Sequence, residues 1–259
     1  MMQFESSYTV RGVKLRMFRG GQGEPALFLH GAAGLSHWTP FFETMSHGFD
    51  FIAIEHPGYG KSDAPEWISS MGELAAFYLD VIEGLGVDRV HLIGSSLGGW
   101  LASEIAVRNS TLLRSLTLLG PAGLRRDDIP VPDMLSWTPQ EVTRKAYFDQ
   151  SIVERILSME MTHEQKQMLA KNRASTARLG GGPTGFFNPV LEGQLNALMT
   201  PSLVLWGDTD LICPTPYAEV WSKALPRSRK VILPQCGHLP HFEQPEETAR
   251  QIQGFLTQL

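Results

Sequence analysis

Residues 91–100 read HLIGSSLGGW, an apolar run that ends in two serines among three glycines. The apolar residues predict a buried strand, and the residues after the serines keep the spacing of a helix. A sharp turn between strand and helix strains its central residue and leaves no room for side chains two positions before and after it. Gly94 and Gly98 stand at those offsets from Ser96, whereas Ile93 stands two positions before Ser95. The G-x-S-x-G pattern therefore predicts that Ser96 is a nucleophile presented at the helix N-terminus.

The composition is that of an ordinary globular protein. The chain has 259 residues, of which 42% are hydrophobic and 19% charged, enough for one domain with an inserted subdomain. A formal net charge of −5 and the lack of a Lys/Arg run argue against a nucleic-acid partner. The N-terminal residues do not resemble a signal peptide, and no apolar stretch approaches the roughly 20 residues that span a bilayer. We therefore expect a cytoplasmic protein without a membrane span.

Short apolar runs, each followed by a helical pattern, predict the rest of a sheet. They are nearly continuous rather than alternating, which is typical of strands covered by helices on both faces. The segment SYTVRGVKLRMFRG alternates and predicts an antiparallel hairpin at the sheet edge. The repeated strand–helix order predicts an α/β fold with a mainly parallel central sheet flanked by helices. The predicted core strands are residues 26–30, 49–55, 89–94, 114–120, 202–207 and 230–234.

Residues 121–200 break the alternation of strands and helices. Charged helical segments replace strand-like runs, and Thr138 and Thr162 each begin a capping box, the signature of a helix start. Long insertions in compact domains are usually functional, so we expect a helical lid over one end of the sheet rather than a structural decoration. The predicted division is a core of residues 1–120 and 201–259 with a lid of residues 121–200.

A serine hydroxyl is a poor nucleophile unless a base lies within hydrogen-bond reach. His238 follows a predicted strand by a few residues, so its loop opens at the same sheet edge as Ser96. His241 is the competing base, although a packed or solvent-bonded histidine is the more ordinary expectation for it. The imidazole in turn needs a carboxylate to orient it. Asp208 and Asp210 both follow a strand end, and their spacing leaves the choice between them open.

The chain resembles the α/β-hydrolase family, in its esterase-like serine hydrolase branch, over nearly all of its length. The resemblance rests on GSSLGG, LHGAAG, EHPGYGKSD, WGDTD and GHLPHFEQPE. It implies that Asp210, the last residue of a G-x-x-D turn, is the triad acid and that His238, in the G-H pair, is the base. It also implies an oxyanion hole formed by the backbone N–H groups of Leu97 and Ala32.

Together these residues predict a serine hydrolase that cleaves carboxylic esters through an acyl-enzyme. The substrate would be a small-molecule ester or related carbonyl compound, and neither a metal nor an organic cofactor is required. Whether the protein is a monomer or a homodimer stays open. Six side chains are candidates for an apolar substrate pocket under the lid: Trp38, Trp100, Met134, Trp137, Phe186 and Phe187.

The main alternative on the same fold is a hydrolase of C–C bonds in vinylogous 1,5-diketones, or a lactonase. The C–C hydrolases usually carry an aromatic residue soon after the G-H pair, whereas Leu239 follows here. The lid arginine that they use cannot be assigned among Arg155, Arg173 and Arg178. A serine in place of a nucleophilic aspartate argues against dehalogenase and epoxide hydrolase chemistry.

Two further alternatives are less favoured. Metal-dependent hydrolysis would use Asp208, Asp210, His238 and His241, but a metal site does not require the G-x-S-x-G turn. A non-enzymatic receptor on the same fold would not require an intact triad. Cys213 and Cys236 flank the two loops that carry the acid and the base, and we expect free buried thiols because disulfides are rare in cytoplasmic proteins.

Overall fold

A computed structural model describes residues 4–181 and 185–259 of the chain. Residues 1–3 of the predicted core and residues 182–184 of the predicted lid therefore lie outside the described part. Eight strands of the described part form one sheet. These strands are β1 (Phe4–Val10), β2 (Val13–Gly20), β3 (Glu24–Leu29), β4 (Phe49–Ile54), β5 (Val90–Ser95), β6 (Leu113–Leu119), β7 (Ser202–Gly207) and β8 (Ser228–Leu233).

The sheet has the order β1-β2-β4-β3-β5-β6-β7-β8. Strands β1 and β2 form an antiparallel hairpin at one edge, and β2 pairs antiparallel with β4. All pairings from β4 to β8 are parallel. The predicted α/β fold, with a mainly parallel sheet and an edge hairpin, is confirmed.

Helices follow most strands and cover both faces of the sheet. Four of them lie between β6 and β7, within the residues predicted as an insertion, and both predicted capping boxes are present there. No helix of the described ranges is long and apolar enough to cross a membrane. The helices are α1 (Pro40–Ser46), α2 (Met71–Gly84), α3 (Leu97–Arg108), α4 (Pro139–Ala146), α5 (Gln150–Ser158), α6 (His163–Gly180), α7 (Leu191–Leu195), α8 (Tyr217–Ala224), α9 (Pro240–Glu243) and α10 (Pro245–Leu256).

Two hydrophobic clusters fill the space between the sheet and its helices. One includes Leu27 and Leu29 of β3 and the buried sides of α2 and α3. The other includes Phe28 of the same strand together with α1 and α10. Because side chains of one strand alternate between two covered faces, every residue of β5 and of β7 is buried. This explains why the strands read as continuous apolar runs.

Five of the six predicted core strands differ from the observed strands by one or two residues at an end, whereas β7 has the predicted bounds. Strand β3 begins at Glu24, where Glu24 and Pro25 pair with the start of β4. Hydrogen-bonded pairing, which hydrophobicity does not report, sets these boundaries. The four-residue helix α9 and the five-residue helix α7 are too short to produce a recognisable helical period.

Candidate active site

Ser96 occupies the turn between β5 and α3 in a strained backbone conformation. Its φ of 54° and ψ of −115° lie in a region that residues other than glycine rarely adopt. Its N–H donates to the Leu119 carbonyl at 2.9 Å, and its carbonyl accepts from Gly99 and Trp100 at 2.9 and 3.1 Å. Hydrogen bonds on both sides of the residue therefore hold the strained turn in place.

The three glycines around Ser96 allow backbone segments to approach one another closely. A Cβ on Gly94 would lie 2.3 Å from the Gly98 carbonyl oxygen, and a Cβ on Gly98 would lie 2.1 Å from the Leu29 carbonyl oxygen. A Cβ on Gly99 would lie 2.7 Å from Cβ of Pro121. The turn is thus packed between the end of β3 and the residues after β6. Each of the three glycines allows a different close contact.

Ser96, His238 and Asp210 form a continuous hydrogen-bonded series. His238 Nε2 lies 2.8 Å from Ser96 Oγ, and His238 Nδ1 lies 2.8 Å from Asp210 Oδ2. The other carboxylate oxygen, Oδ1, accepts from the N–H groups of Ile212 and Cys213 at 2.8 and 2.9 Å. With Nδ1–H donating to the carboxylate, the Nε2 lone pair faces the serine hydroxyl, the arrangement of a general base.

Asp208 has a different role from Asp210. Its Oδ1 accepts a hydrogen bond from the Cys236 N–H at 3.2 Å. The neighbouring Thr209 donates to the Cys236 carbonyl through both its N–H and its hydroxyl, at 3.0 and 2.8 Å. Asp208 and Thr209 therefore fasten the loop that carries Asp210 to the loop that carries His238.

The end of α4 packs directly against the His238 loop. The His238 N–H donates to the Ala146 carbonyl at 2.8 Å. A Cβ on the preceding Gly237 would lie 2.5 Å from the same carbonyl oxygen, and the Gly237 N–H donates to Glu243 Oε2 at 2.6 Å. Residues between β6 and β7 thus help to position the histidine.

Two unpaired backbone donors lie beside Ser96. Ala32 and Leu97 line a cavity together with Ser96, and within residues 4–181 and 185–259 neither of their N–H groups donates to a protein acceptor. A Cβ on Gly31 would lie 3.2 Å from Ser96 Cβ, so the loop after β3 passes close to the serine. These are the two donors implied by the family resemblance.

Buried histidines support the loop after β3. The His30 Nε2 accepts from the His56 N–H at 2.9 Å, and His56 Nδ1 lies 2.6 Å from the Tyr78 hydroxyl. Burial lowers the pKa of His30 to about 4 and holds the pKa of His56 well below its usual range. Both imidazoles are therefore neutral near pH 7 and act as hydrogen-bonding supports.

His241 is packed among aromatic rings, as expected for a histidine that is not the base. Its ring centroid lies 4.5 Å from that of Phe242 and 5.4 Å from that of Phe28. Burial, together with the nearby His238, lowers the pKa of His241 to about 3. The ring contributes a neutral wall to the cavity beside Ser96.

Two mainly apolar cavities meet at Ser96. Cavity A lies toward the loop after β3 and the His238 loop, and cavity B lies toward the residues that follow β6. No lysine or arginine is among the described residues that line either cavity; Lys166 and Arg173 line an outer cavity that lacks Ser96. Apolar lining residues of cavity A include Phe28, Leu35, Phe42, Leu239 and Phe242, and those of cavity B include Leu97, Leu124, Val131, Phe186 and Ile212.

Two of the six predicted pocket residues line these cavities. Met134 lines cavity A, cavity B and the outer cavity, and Phe186 lines cavity B. The other four lie outside the linings of all three: Trp38, Trp100, Trp137 and Phe187.

These four side chains have other partners in the structure. The indole N–H groups of Trp38 and Trp100 each donate to a glutamate four or five residues further along. Trp137 and Phe187 each lie against a cationic side chain. Hydrophobicity and position in the chain did not report these partners.

The two cysteines are free and buried, as expected. Burial raises the pKa of both thiols, so neither is an activated nucleophile. Across the part of the chain that the structure describes, no three His, Cys, Asp or Glu side chains gather in a group that could hold a metal ion.

We expect Gly98→Ala to destabilise the protein by more than about 3 kcal/mol, because the new methyl group would clash with the Leu29 carbonyl oxygen. Urea denaturation measures the effect. Gly193→Ala is the matched control, since Gly193 is exposed in α7 and, in the described part of the chain, no atom beyond its own helix turn lies within 4 Å of its Cβ position. Equal stability of the two variants would contradict the close approach of the turn to β3.

We expect the free energy of unfolding to fall as the pH is lowered below about 6.5. The unfolded chain then binds protons that folded His30 and His241, with pKa values of about 4 and about 3, do not bind. Urea denaturation at pH 7 and pH 5 tests this. His241→Phe should reduce the pH dependence, whereas His37→Gln, at an exposed site, should not. If the unfolding free energy of His241→Phe depends on pH as strongly as that of the wild type, His241 is not the source of this pH dependence.

The sequence is similar to those of known hydrolases. A family model described as the alpha/beta hydrolase family matches residues 26–251. A 2-hydroxy-6-oxo-6-(2'-aminophenyl)hexa-2,4-dienoic acid hydrolase of Metapseudomonas resinovorans is 24% identical, over 98% of this chain and 92% of the relative. A pimeloyl-[acyl-carrier protein] methyl ester esterase of Nitrosomonas europaea is 27% identical, over 88% of this chain and 93% of the relative.

Solved structures share the fold over nearly the whole chain. The meta-cleavage product hydrolase of Pseudomonas fluorescens superimposes with a TM-score of 0.83 at 20% identity, covering 98% of this chain and 97% of that one. The naproxen esterase of Bacillus subtilis gives a TM-score of 0.80 at 19% identity, covering 98% and 91%. The chain belongs to the α/β hydrolase family.

Proposed function

We propose that this hydrolase cleaves carboxylic esters of small molecules through a catalytic triad of Ser96, His238 and Asp210. The observation that carries the proposal is the hydrogen-bonded series from Asp210 through His238 to Ser96, with 2.8 Å at each step. A serine becomes a useful nucleophile when a base lies within this distance, and the base keeps its orientation when a carboxylate holds its other nitrogen.

The proposed reaction proceeds through an acyl-enzyme. Ser96 Oγ attacks the ester carbonyl carbon while its proton moves to His238 Nε2, and Asp210 stabilises the imidazolium. The N–H groups of Ala32 and Leu97 donate to the oxyanion of the tetrahedral intermediate. Collapse of this intermediate releases the alcohol, which takes the proton from His238. A water molecule, activated by the same histidine, then hydrolyses the acyl-enzyme.

The cavities favour uncharged substrates with apolar groups on both sides of the ester. Cavities A and B offer separate spaces for the acyl and alcohol groups, and their described lining contains no lysine or arginine. We further propose that residues 121–200 act as a lid, because Met134 and Val142 from this segment line cavity A beside Ser96.

Hydrolysis of a C–C bond is the second candidate, because several relatives are named as hydrolases of dienoates. Such a substrate carries a carboxylate, and a buried carboxylate requires a cationic or hydrogen-bonding partner. None of Arg155, Arg173 and Arg178 lines cavity A or B. Arg173 instead donates to the carbonyls of Leu135 and Trp137. The described lining of cavities A and B thus offers such a carboxylate no cationic partner, which favours the ester.

We expect Ser96→Ala to abolish nearly all turnover of nitrophenyl butyrate, leaving about 10³-fold acceleration over water from binding and the oxyanion hole. A fluorescent phosphonate should label the wild-type protein and fail to label this variant. Ser95→Ala is the matched control, because Ser95 is buried and its hydroxyl has no hydrogen-bond partner among the described residues. An equal loss in Ser95→Ala, or inhibition by chelators without phosphonate labelling, would overturn the assignment of Ser96.

We expect neutral nitrophenyl esters to react with a kcat/KM at least about tenfold above that of a dienone acid, because a carboxylate without a cationic partner in cavity A or B is costly to desolvate. A steady-state assay of both substrates on one preparation measures the ratio. Faster cleavage of the dienone acid would assign the protein to C–C bond hydrolysis.

A further inference from the structure

Helix α6 is hydrogen-bonded to the loop that follows β3. The Asn172 Nδ2 group donates to the Ala33 carbonyl at 2.9 Å, and the Thr176 hydroxyl lies 3.3 Å from the Ala32 carbonyl. Both side chains are buried although the helix is mostly polar. Residues about 140 positions apart in the chain are therefore joined beside Ser96.

The other side of α6 is attached to the loop after β4. Asn172 Oδ1 accepts from the Gly60 N–H at 2.9 Å, and the Tyr59 and Thr176 hydroxyls lie 2.8 Å apart. Lys171 Nζ donates to the carbonyls of Gly60 and Ser62 at 2.7 and 3.1 Å. The Asn172 amide thus bridges two loops, with its donor on one and its acceptor on the other.

A short path connects Asn172 to the Ala32 N–H. A Cβ on Gly34, which has a φ of 89°, would lie 2.4 Å from Asn172 Nδ2, so the loop packs directly on the amide. The Gly34 N–H donates to the Gly31 carbonyl at 3.1 Å, and His30 Nδ1 lies 2.7 Å from the same carbonyl oxygen. That carbonyl belongs to the same planar peptide as the Ala32 N–H, and fixing one end of the plane fixes the direction of the other.

We propose that Asn172 is a positioning residue for the oxyanion hole. It holds Ala33 and Gly34 so that the Gly34 N–H stays bonded to the Gly31 carbonyl, in addition to the bond from His30, and the Ala32 N–H points toward the oxygen bound at Ser96. This inference rests on the proposed esterase function. Oxyanion donors act mainly on the transition state, and a displacement of about 1 Å in such a group costs about 10²-fold in rate.

The test compares three variants of the full-length protein. Asn172→Ala removes both hydrogen bonds of the amide, and Asn172→Asp keeps an acceptor for Gly60 but loses the donor to Ala33. Lys171→Ala is the matched control, since Lys171 contacts the loop after β4 and not the loop after β3. The measurements are kcat and KM for nitrophenyl butyrate and the inhibition constant of a trifluoromethyl ketone, which forms a tetrahedral oxyanion adduct with the serine.

We expect both Asn172 variants to lose about 10- to 100-fold in kcat with KM within about threefold of the wild-type value. Affinity for the trifluoromethyl ketone should fall by a similar factor, because the adduct needs the same donors. Lys171→Ala should stay within about twofold in every measurement. A kcat within twofold of wild type in Asn172→Ala, or a loss of kcat without weaker ketone binding, would overturn the proposal.

Hydrogen exchange separates this proposal from the proposed function. Backbone amides of residues 31–34 should exchange faster in Asn172→Ala than in Lys171→Ala, whether or not esters are turned over. Unchanged exchange would overturn the positioning role, whereas a wild-type protein that cleaves no ester would overturn the proposed function alone. If Asn172→Ala does not fold, Asn172→Asp, which keeps the acceptor for Gly60 and loses only the donor to Ala33, is judged by the same criteria.

Discussion

The close approach of Gly98 to the Leu29 carbonyl is the contact on which the rest of the site depends. It brings the start of α3 against the end of β3, so that Leu97 and Ala32 lie on either side of Ser96. A side chain at Gly98 would push these backbone segments apart. The strained conformation of Ser96 is then sustained by the packing of glycine backbones together with the hydrogen bonds at each end of the turn.

Parallel topology brings together the other groups of the proposed triad. The carboxyl ends of β5, β7 and β8 lie at the same end of the sheet. Each strand is followed by one member of the proposed triad: Ser96, Asp210 and His238. The loops after β7 and β8 are joined by Asp208 and Thr209. The two acidic residues of the loop after β7 therefore have different roles. Asp210 faces the imidazole, and Asp208 holds the two loops together.

Part of this arrangement could be predicted from backbone rules, whereas the choice of Asp210 over Asp208 came from the family resemblance. The glycine offsets selected Ser96, and continuous apolar runs located the buried strands. The pocket was predicted less well, because the direction of Trp38 or Trp100 depends on a glutamate partner that hydrophobicity does not reveal. The role of α6 was missed, since its buried face is polar. The spacing of Asn172, Thr176 and Leu179 was the available signal of a buried helical stripe.

The Ala146 carbonyl connects the segment between β6 and β7 to the core through a backbone hydrogen bond. It accepts a hydrogen bond from the backbone N–H of His238. Both groups belong to the backbone, so a substituted side chain does not replace them. A chimera that exchanged this polypeptide for the equivalent part of another hydrolase would leave that buried amide without an acceptor unless the donor supplied a carbonyl at the same point. Exchange of this segment between hydrolases of the fold is therefore constrained by main-chain geometry at the end of α4.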